Sequence, residues 1–310
     1  MRKFLRNGIW FLCVAIAVIG LLQAIISFRI KEKAITGYDN WDTTSGINAD
    51  LVLLGSSRCW AHFDPYFFER TYKLKTVNIG MNGHSELTAS ILRLENYLAK
   101  NKAPKFAILS FDPSTSPGSF EGNANFVNKN NYARFAFLPS EENSGLVDYF
   151  KFNDYEKYIP LYAIFKYKLV EDAVMLKNSG LFSEGFELNH EKWDTLKNPV
   201  SGAMKKNFIK KHQIPLLRKQ LKILKSLCEK NNIRLACIQT PAYKSNYDKT
   251  AFGKSAEICK SVGIPFIDAN SAAIRNNIQN FYNSTHLNKN GITEMNKLLK
   301  NEKELEAFLK

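Results

Sequence analysis

Ala49-Asp50-Leu51-Val52-Leu53-Leu54-Gly55-Ser56-Ser57 is the stretch on which the reading of this chain turns. An apolar run of strand length ends in a glycine and two serines, as expected where a buried parallel strand turns into a helix. Doubly wound α/β sheets bind their ligands outside such strand ends. Near the C-terminus, Ser284-Thr285-His286-Leu287-Asn288 supplies an imidazole on a late loop. A serine hydroxyl is a weak nucleophile until an imidazole can take its proton, so the two segments read as the halves of one nucleophile and base pair.

Outward from this stretch, strand-like and helix-like segments alternate. The first strand is expected at 50–54, and a helix near Asp64-Pro65 follows, with proline early in the helix where its missing donor costs little. Lys75 to Ile79 reads as a second strand. Ser85 to Lys100 reads as an amphipathic helix, with Leu87, Ile91, Leu94 and Leu98 at helical spacing, and Phe106 to Phe111 as a third strand. The pattern resumes with a helix over Leu216–Lys230, a strand over Arg234–Gln239, a helix over Lys249–Val262 and a strand over Ile264–Asp268. Lys289 to Phe308 closes the chain as one or two helices. Such alternation predicts an α/β fold, a flavodoxin-like doubly wound parallel sheet with helices on both faces.

Between Pro113 and Gln213 the alternation stops for about a hundred residues rich in Asn, Phe, Tyr and Lys. Because aromatic side chains need burial, this insertion is expected to form a cap over the active-site edge. Its Tyr155–Leu169 stretch predicts an amphipathic helix whose stripe of Tyr158, Leu161, Tyr162, Phe165 and Leu169 is expected to pack into a core, a ligand- or membrane-facing role being the alternative.

The N-terminus differs in texture. Gly8 to Phe28 carries no charge, and a helix of that length just spans a hydrocarbon core of roughly 30 Å. Basic residues precede it as in a secretory signal, yet the run is long and no Ala-x-Ala pair ends it, so residues 1–33 read as an uncleaved anchor with a transmembrane helix at about 8–28. A linker is expected at 34–48 and the α/β domain at 49–310. Flanking basic residues balance, and long domains translocate largely regardless of charge, which places the catalytic domain on the extracytoplasmic side.

The 310 residues carry a formal net charge of +14, of which +5 lies in residues 1–33. Widely spread lysines suit work beside an anionic membrane or envelope polymer. Nucleic acid is not expected as a partner, since the anchor and the absence of a known module argue against it. Lys205 to His212, the densest basic stretch, reads as solvated surface. Five cysteines form no Cys-x-x-Cys and no ligand-like spacing with five histidines, so a metal site is not expected, and one disulfide is left open. No organic cofactor is expected beyond an acyl donor.

Gly55-Ser56-Ser57 after a strand, Asn78-Ile79-Gly80-Met81-Asn82-Gly83 after a second strand, and His286-Leu287-Asn288 before the final helix together resemble blocks of the SGNH/GDSL hydrolase superfamily. With its anchor and insertion, the chain looks most similar to the membrane-tethered branch that includes alginate O-acetylation and teichoic-acid D-alanylation proteins. The resemblance covers roughly 49–112 and 214–300 and leaves the insertion unassigned. It implies Ser57 as nucleophile, with Ser56 as the alternative, and His286 as base. It implies an oxyanion site from the backbone of Ser57 and Gly83. The activity implied is that of a serine esterase or O-acyltransferase acting on short acyl esters of cell-envelope glycans. The implied partners are the membrane, an acylated or acyl-accepting glycan and a membrane-bound O-acyltransferase.

Two departures stand out. Where the family has an Asn after its third strand, this chain has Asp112, and an ionised carboxylate cannot donate to an oxyanion. Either Asp112 has another task or a residue such as Asn82 completes the hole. Where the family has Asp-x-x-His, this chain has Asn283-Ser284-Thr285-His286, so the orienting partner of the imidazole carries no charge. Asp268 and Asp112 are the acids that could take its place; without such help the departure implies slow chemistry, or a noncatalytic module that binds polysaccharide or a membrane-bound O-acyltransferase.

Overall fold

The computed structural model describes residues 1–32, 44–81, 83–118, 129, 132–174, 182–183 and 186–310. Most of the expected linker, 34–43, and the candidate Asn82 lie outside them. Helix α1, Arg2–Glu32, contains the whole apolar run and is long and apolar enough to cross a membrane. Two compact units are found: Met1–Asp39 with Glu121–Ser179, and Asn40–Phe120 with Gly180–Lys310.

The second unit holds the sheet. In chain order it is built from β1 (Leu51–Leu54), α2 (Ser57–His62), α3 (Pro65–Tyr72), β2 (Thr76–Asn78), α4 (Leu87–Lys100) and β3 (Phe106–Ser110). A gap of four short helices in the other unit follows: α5 (Glu141–Tyr149), α6 (Asp154–Tyr158), α7 (Tyr162–Lys166) and α8 (Leu169–Val174). The chain then adds a hairpin of β4 (Phe182–Ser183) and β5 (Phe186–Glu187), then α9 (Ile214–Lys230), β6 (Arg234–Gln239), α10 (Lys249–Ser261) and β7 (Phe266–Asp268). It closes with α11 (Ala272–Arg275), α12 (Lys289–Lys300) and α13 (Lys303–Leu309).

Strands run parallel in the order β2-β1-β3-β6-β7. The chain leaves β1 for β2 on one side and returns to β3 on the other, so the order reverses between β1 and β3. That is the crevice in which open α/β sheets hold ligands. The strands are apolar on both sides because both faces are covered. Val52, Leu54, Ala107, Leu109 and Cys237 pack against Ile91 and Leu94 of α4 and Leu217, Leu221 and Leu224 of α9. Leu51, Leu53, Ile108, Ala236 and Ile238 pack against Ile292, Met295 and Leu299 of α12 and Leu305 of α13.

The doubly wound sheet and the order of its elements agree with the sequence reading. The short α11, the β4–β5 hairpin and the six-residue α2 between the first strand and the helix at Pro65 were not foreseen, and α2 bears on the site. It arises because the Ser56 side chain caps its start, and Phe63 then goes extended before Asp64 caps α3 ahead of Pro65.

The insertion departs further. The single helix expected over Tyr155–Leu169 is broken into α6 and α7, because Pro160 offers no N–H and Leu161 takes φ +67°. Leu161 and Leu169 are buried as expected, but Tyr158, Tyr162 and Phe165 are exposed rather than packed in a core. Cys13, Cys59, Cys228, Cys237 and Cys259 are all free thiols, so the disulfide left open by the sequence is not formed.

Candidate active site

Gly55 makes the turn out of β1 at φ +142°, where a Cβ would stand 2.9 Å from the Cβ of Ser110 on the neighbouring strand. The next two residues divide their tasks. Ser56 Oγ accepts a hydrogen bond from the Arg58 backbone N–H (3.2 Å) and closes the start of α2, while Ser57 Oγ lies 2.9 Å from His286 Nε2. The two hydroxyls thus face different partners.

The loop carrying His286 is held from several directions. Asn288 accepts from the N–H groups of Asn290 and Gly291 at the start of α12, and its amide donates to the carbonyls of Gln279, Phe281 and Glu191. The buried His62 accepts from the Leu287 N–H at Nε2 (3.1 Å). Tyr282 stacks on the imidazole of His286, with ring centres 5.5 Å apart and planes within 10°. The ring therefore has little freedom to leave Ser57.

Asn283 lies beside the His286 ring. Its Oδ1 is 3.1 Å from His286 Nδ1 and also accepts from the N–H groups of His286 and Thr285 and from the Thr285 hydroxyl. These donors fix the orientation of the amide, and the Thr285 hydroxyl also lies 3.0 Å from His286 Nδ1; with the proton on Nδ1, Asn283 Oδ1 accepts from it and Nε2 is the acceptor facing Ser57. The expected rescuing acids do not reach the ring: among the described residues, Asp268 accepts from Gln239 and the Asn270 N–H, and Asp112 is bound elsewhere.

Asp112 is nearly inaccessible and pairs with the equally buried Arg58, its Oδ2 being 2.9 Å from Arg58 Nε. It also accepts from the Thr240 N–H and the Ser110 hydroxyl. Arg58 goes on to donate to the carbonyls of Thr240 (2.6 Å) and Thr285 (3.0 Å). One guanidinium thus ties the turn after β1, the end of β3, the end of β6 and the His286 loop together. Burial first, and then this positive charge, hold the His286 imidazole down to about 3. Burial, Arg58 and His286 likewise push His62 well below the usual histidine range. Both rings are neutral near pH 7.

Ser57 and His286 open into a cavity of about 320 Å³ lined also by Ser56, Gly83, Ser85, Ser114 and Asn207. Gly83, at φ +78°, lines this cavity with its backbone. His84 lines it too, with Nδ1 3.7 Å from Glu86 Oε2. A larger groove of about 670 Å³ between α3 and α12 contains neither Ser57 nor His286, so size alone does not locate the chemistry. Among the described residues no group of three or more His, Cys, Asp or Glu is arranged to hold a metal ion.

Sequence reasoning missed Arg58, Met204, Asn207 and Thr285. Arg58 and Asp112 could have been paired from opposite charges at neighbouring strand ends. Met204 and Asn207 come from a short 3₁₀ segment, Ala203–Asn207, with no local signal of a site.

No family model and no curated protein matches the sequence. Among solved structures, the chain is similar to a proposed acylhydrolase from Bacteroides fragilis at 13% identity and a TM-score of 0.38, covering 84% of this chain and 88% of that one. It is also similar to a GDSL-like lipase from Bacteroides thetaiotaomicron at 9% identity and a TM-score of 0.38, covering 86% and 90%. At that distance the chemistry has to be argued from the geometry of this chain.

Proposed function

We propose that the protein is a membrane-anchored serine esterase or O-acyltransferase, of the SGNH type, acting on short acyl esters of an extracytoplasmic glycan. The observation that carries this reading is the relay from Ser57 Oγ through His286 Nε2, at 2.9 Å, and Nδ1 to Asn283, at 3.1 Å. Ser57 Oγ attacks the ester carbonyl as His286 takes its proton, and His286 returns that proton to the leaving alcohol oxygen. The acyl group rests on Ser57 until water or a glycan hydroxyl, deprotonated by His286, removes it. The backbone N–H groups of Ser57 and Gly83 serve the oxyanion, each such donor being worth about 10²–10³ in rate. A cavity near the small end of the usual range for ligand sites, with Ser85, Ser114 and Asn207 on its wall, supports a short acyl group and a hydroxyl-bearing partner.

The test is acetyl-ester hydrolysis by the detergent-solubilised full chain. In a serine protease, the hydroxyl and imidazole deprived of their carboxylate still hold about 10²-fold over the fully disabled enzyme. Ser57→Ala is expected to lose about that factor, Ser56→Ala to stay within a few-fold of the parent as an altered helix cap, and a fluorophosphonate adduct to map to Ser57. Equal rates for parent and Ser57→Ala, with no adduct, would reject the reading. The neutral Asn283 favours one alternative in that event, a noncatalytic module that binds polysaccharide or a membrane-bound O-acyltransferase, recognised by binding that survives Ser57→Ala.

A further inference from the structure

Residues 132–174 form their compact unit with α1, and its outer surface is unlike the surface of a water-soluble domain. On the inner side, Leu161, Ala163, Ile164, Tyr167 and Leu169 are buried, and the buried Glu156 carboxylate accepts from the Tyr167 hydroxyl and from Lys166. On the outer side, Tyr155, Tyr158, Ile159 and Phe165 are 64%, 65%, 45% and 59% exposed, with Tyr162 beside them. All five come from α6, α7 and the short link between them. The exposed Lys166 and Lys168 lie alongside.

This surface is continuous with the apolar helix. Ile19 of α1 shares a shallow hollow of about 530 Å³ with Ile159, Pro160, Tyr162 and Phe165. Four residues further along α1, the polar Gln23 is buried; its Oε1 accepts from the Leu161 N–H and its amide donates to Ser27. Arg134 donates to the Ser27 carbonyl. The insertion therefore meets α1 from Ile19 to Ser27, within the second half of the uncharged run.

Length then decides where this contact lies. If the hydrocarbon ended before Ile19, Gly8 to Val18 would be left to cross it, and a helix of that size covers only about 17 Å of the roughly 30 Å required. The bilayer must reach the level of Ile19 to Ser27. Gln23, an amide that would be costly in lipid, is satisfied there by the Leu161 backbone. Aromatic rings with a polar end and neighbouring lysines are the side chains that favour the headgroup layer.

We infer that the insertion is a membrane-seated collar: α6 and α7 lie in the headgroup layer, with Tyr155, Tyr158, Ile159, Tyr162 and Phe165 against lipid. The inference rests on the anchor reading above, and the test separates the two. The full chain, with the exposed Cys13 replaced by Cys13→Ala, carries a nitroxide at Tyr158→Cys or Phe165→Cys in nanodiscs of phosphatidylglycerol and phosphatidylcholine. Val14→Cys marks the span and the 93% exposed Leu196→Cys marks water.

Collision with a water-soluble nickel chelate is expected to be roughly tenfold lower at 158 and 165 than at 196, because an interfacial apolar surface is buried at the acyl boundary. Collision with oxygen is expected to resemble that at 14. Nickel access at 158 and 165 equal to that at 196, with 14 still in lipid, would overturn the collar, leave the anchor standing and point to a protein partner for this surface. Nickel access at all four sites would overturn both.

Discussion

Asn283→Asp is expected to raise kcat for acetyl-ester hydrolysis by about 10²–10⁴, since the opposite change in a serine protease triad lowers it about 10⁴-fold. The substitution is nearly isosteric, and every hydrogen bond described at Asn283 is accepted by Oδ1, so a carboxylate oxygen can keep all four. What changes is charge. In the mechanism we propose, the imidazolium that forms when His286 takes the Ser57 proton has a neutral amide at one nitrogen and Arg58 among the charges acting on it, so its charge is uncompensated. A carboxylate 3 Å away would lower that state by about 1.4 kcal/mol for each decade of rate.

The same substitution has a pH signature. In the parent, His286 is held down to about 3, so the neutral base persists and kcat/KM should be flat from pH 8 to pH 5. The catalytic form is the unprotonated one, and activity is lost only as pH falls through that value. A neighbouring negative charge raises an imidazole's pKa, so in Asn283→Asp the acid limb moves upward toward neutrality. A parent profile that already bends near pH 6.5, or a variant no faster than the parent, would contradict this account of the relay.

Asp112→Asn and Arg58→Met are each expected to cost about 3–5 kcal/mol of stability, because each leaves the partner's charge buried alone. The pair is nearly inaccessible on both sides, and each member also serves neighbouring strand ends through Thr240. The double variant should be less destabilised than the sum of the two singles by at least about 2 kcal/mol, the coupling of a close pair. Urea unfolding monitored by tryptophan fluorescence measures all three; strict additivity would show that Arg58 and Asp112 act independently. Arg58→Met should also raise the His286 pKa, since the guanidinium is a named cause of its depression.

Much of this architecture was legible before any coordinates. Leu51–Leu54, Phe106–Ser110 and Arg234–Gln239 announce themselves because strands covered on both faces have runs of consecutive apolar residues, a signal that needs no partner to be read. Gly55 and Ser57 are local in the same sense, being bound to the end of one strand. Other readings failed where the outcome depended on what lay across space. Tyr158 and Phe165 were expected inside on the rule that aromatic residues are buried, and the rule does not foresee a face turned toward something other than the protein's own core. Their helix was expected to run on through Pro160, a residue whose missing N–H argued for the break that occurs.

By itself, the sequence determined the order of strands and helices, the length of the apolar N-terminal helix and the residue types available for the chemistry. These follow from periodicity, hydrogen-bonding capacity and chain length, which act over a few turns at most. Only the tertiary structure decided that Ser56 caps a helix while Ser57 meets His286, that the Asn283 amide oxygen lies against the His286 ring, and that Asp112 is committed to Arg58. The physical reason is that a side chain's role and charge state are set by partners within a few ångströms, and here those partners come from strand ends and loops far apart in the chain, brought together only where the sheet reverses its order.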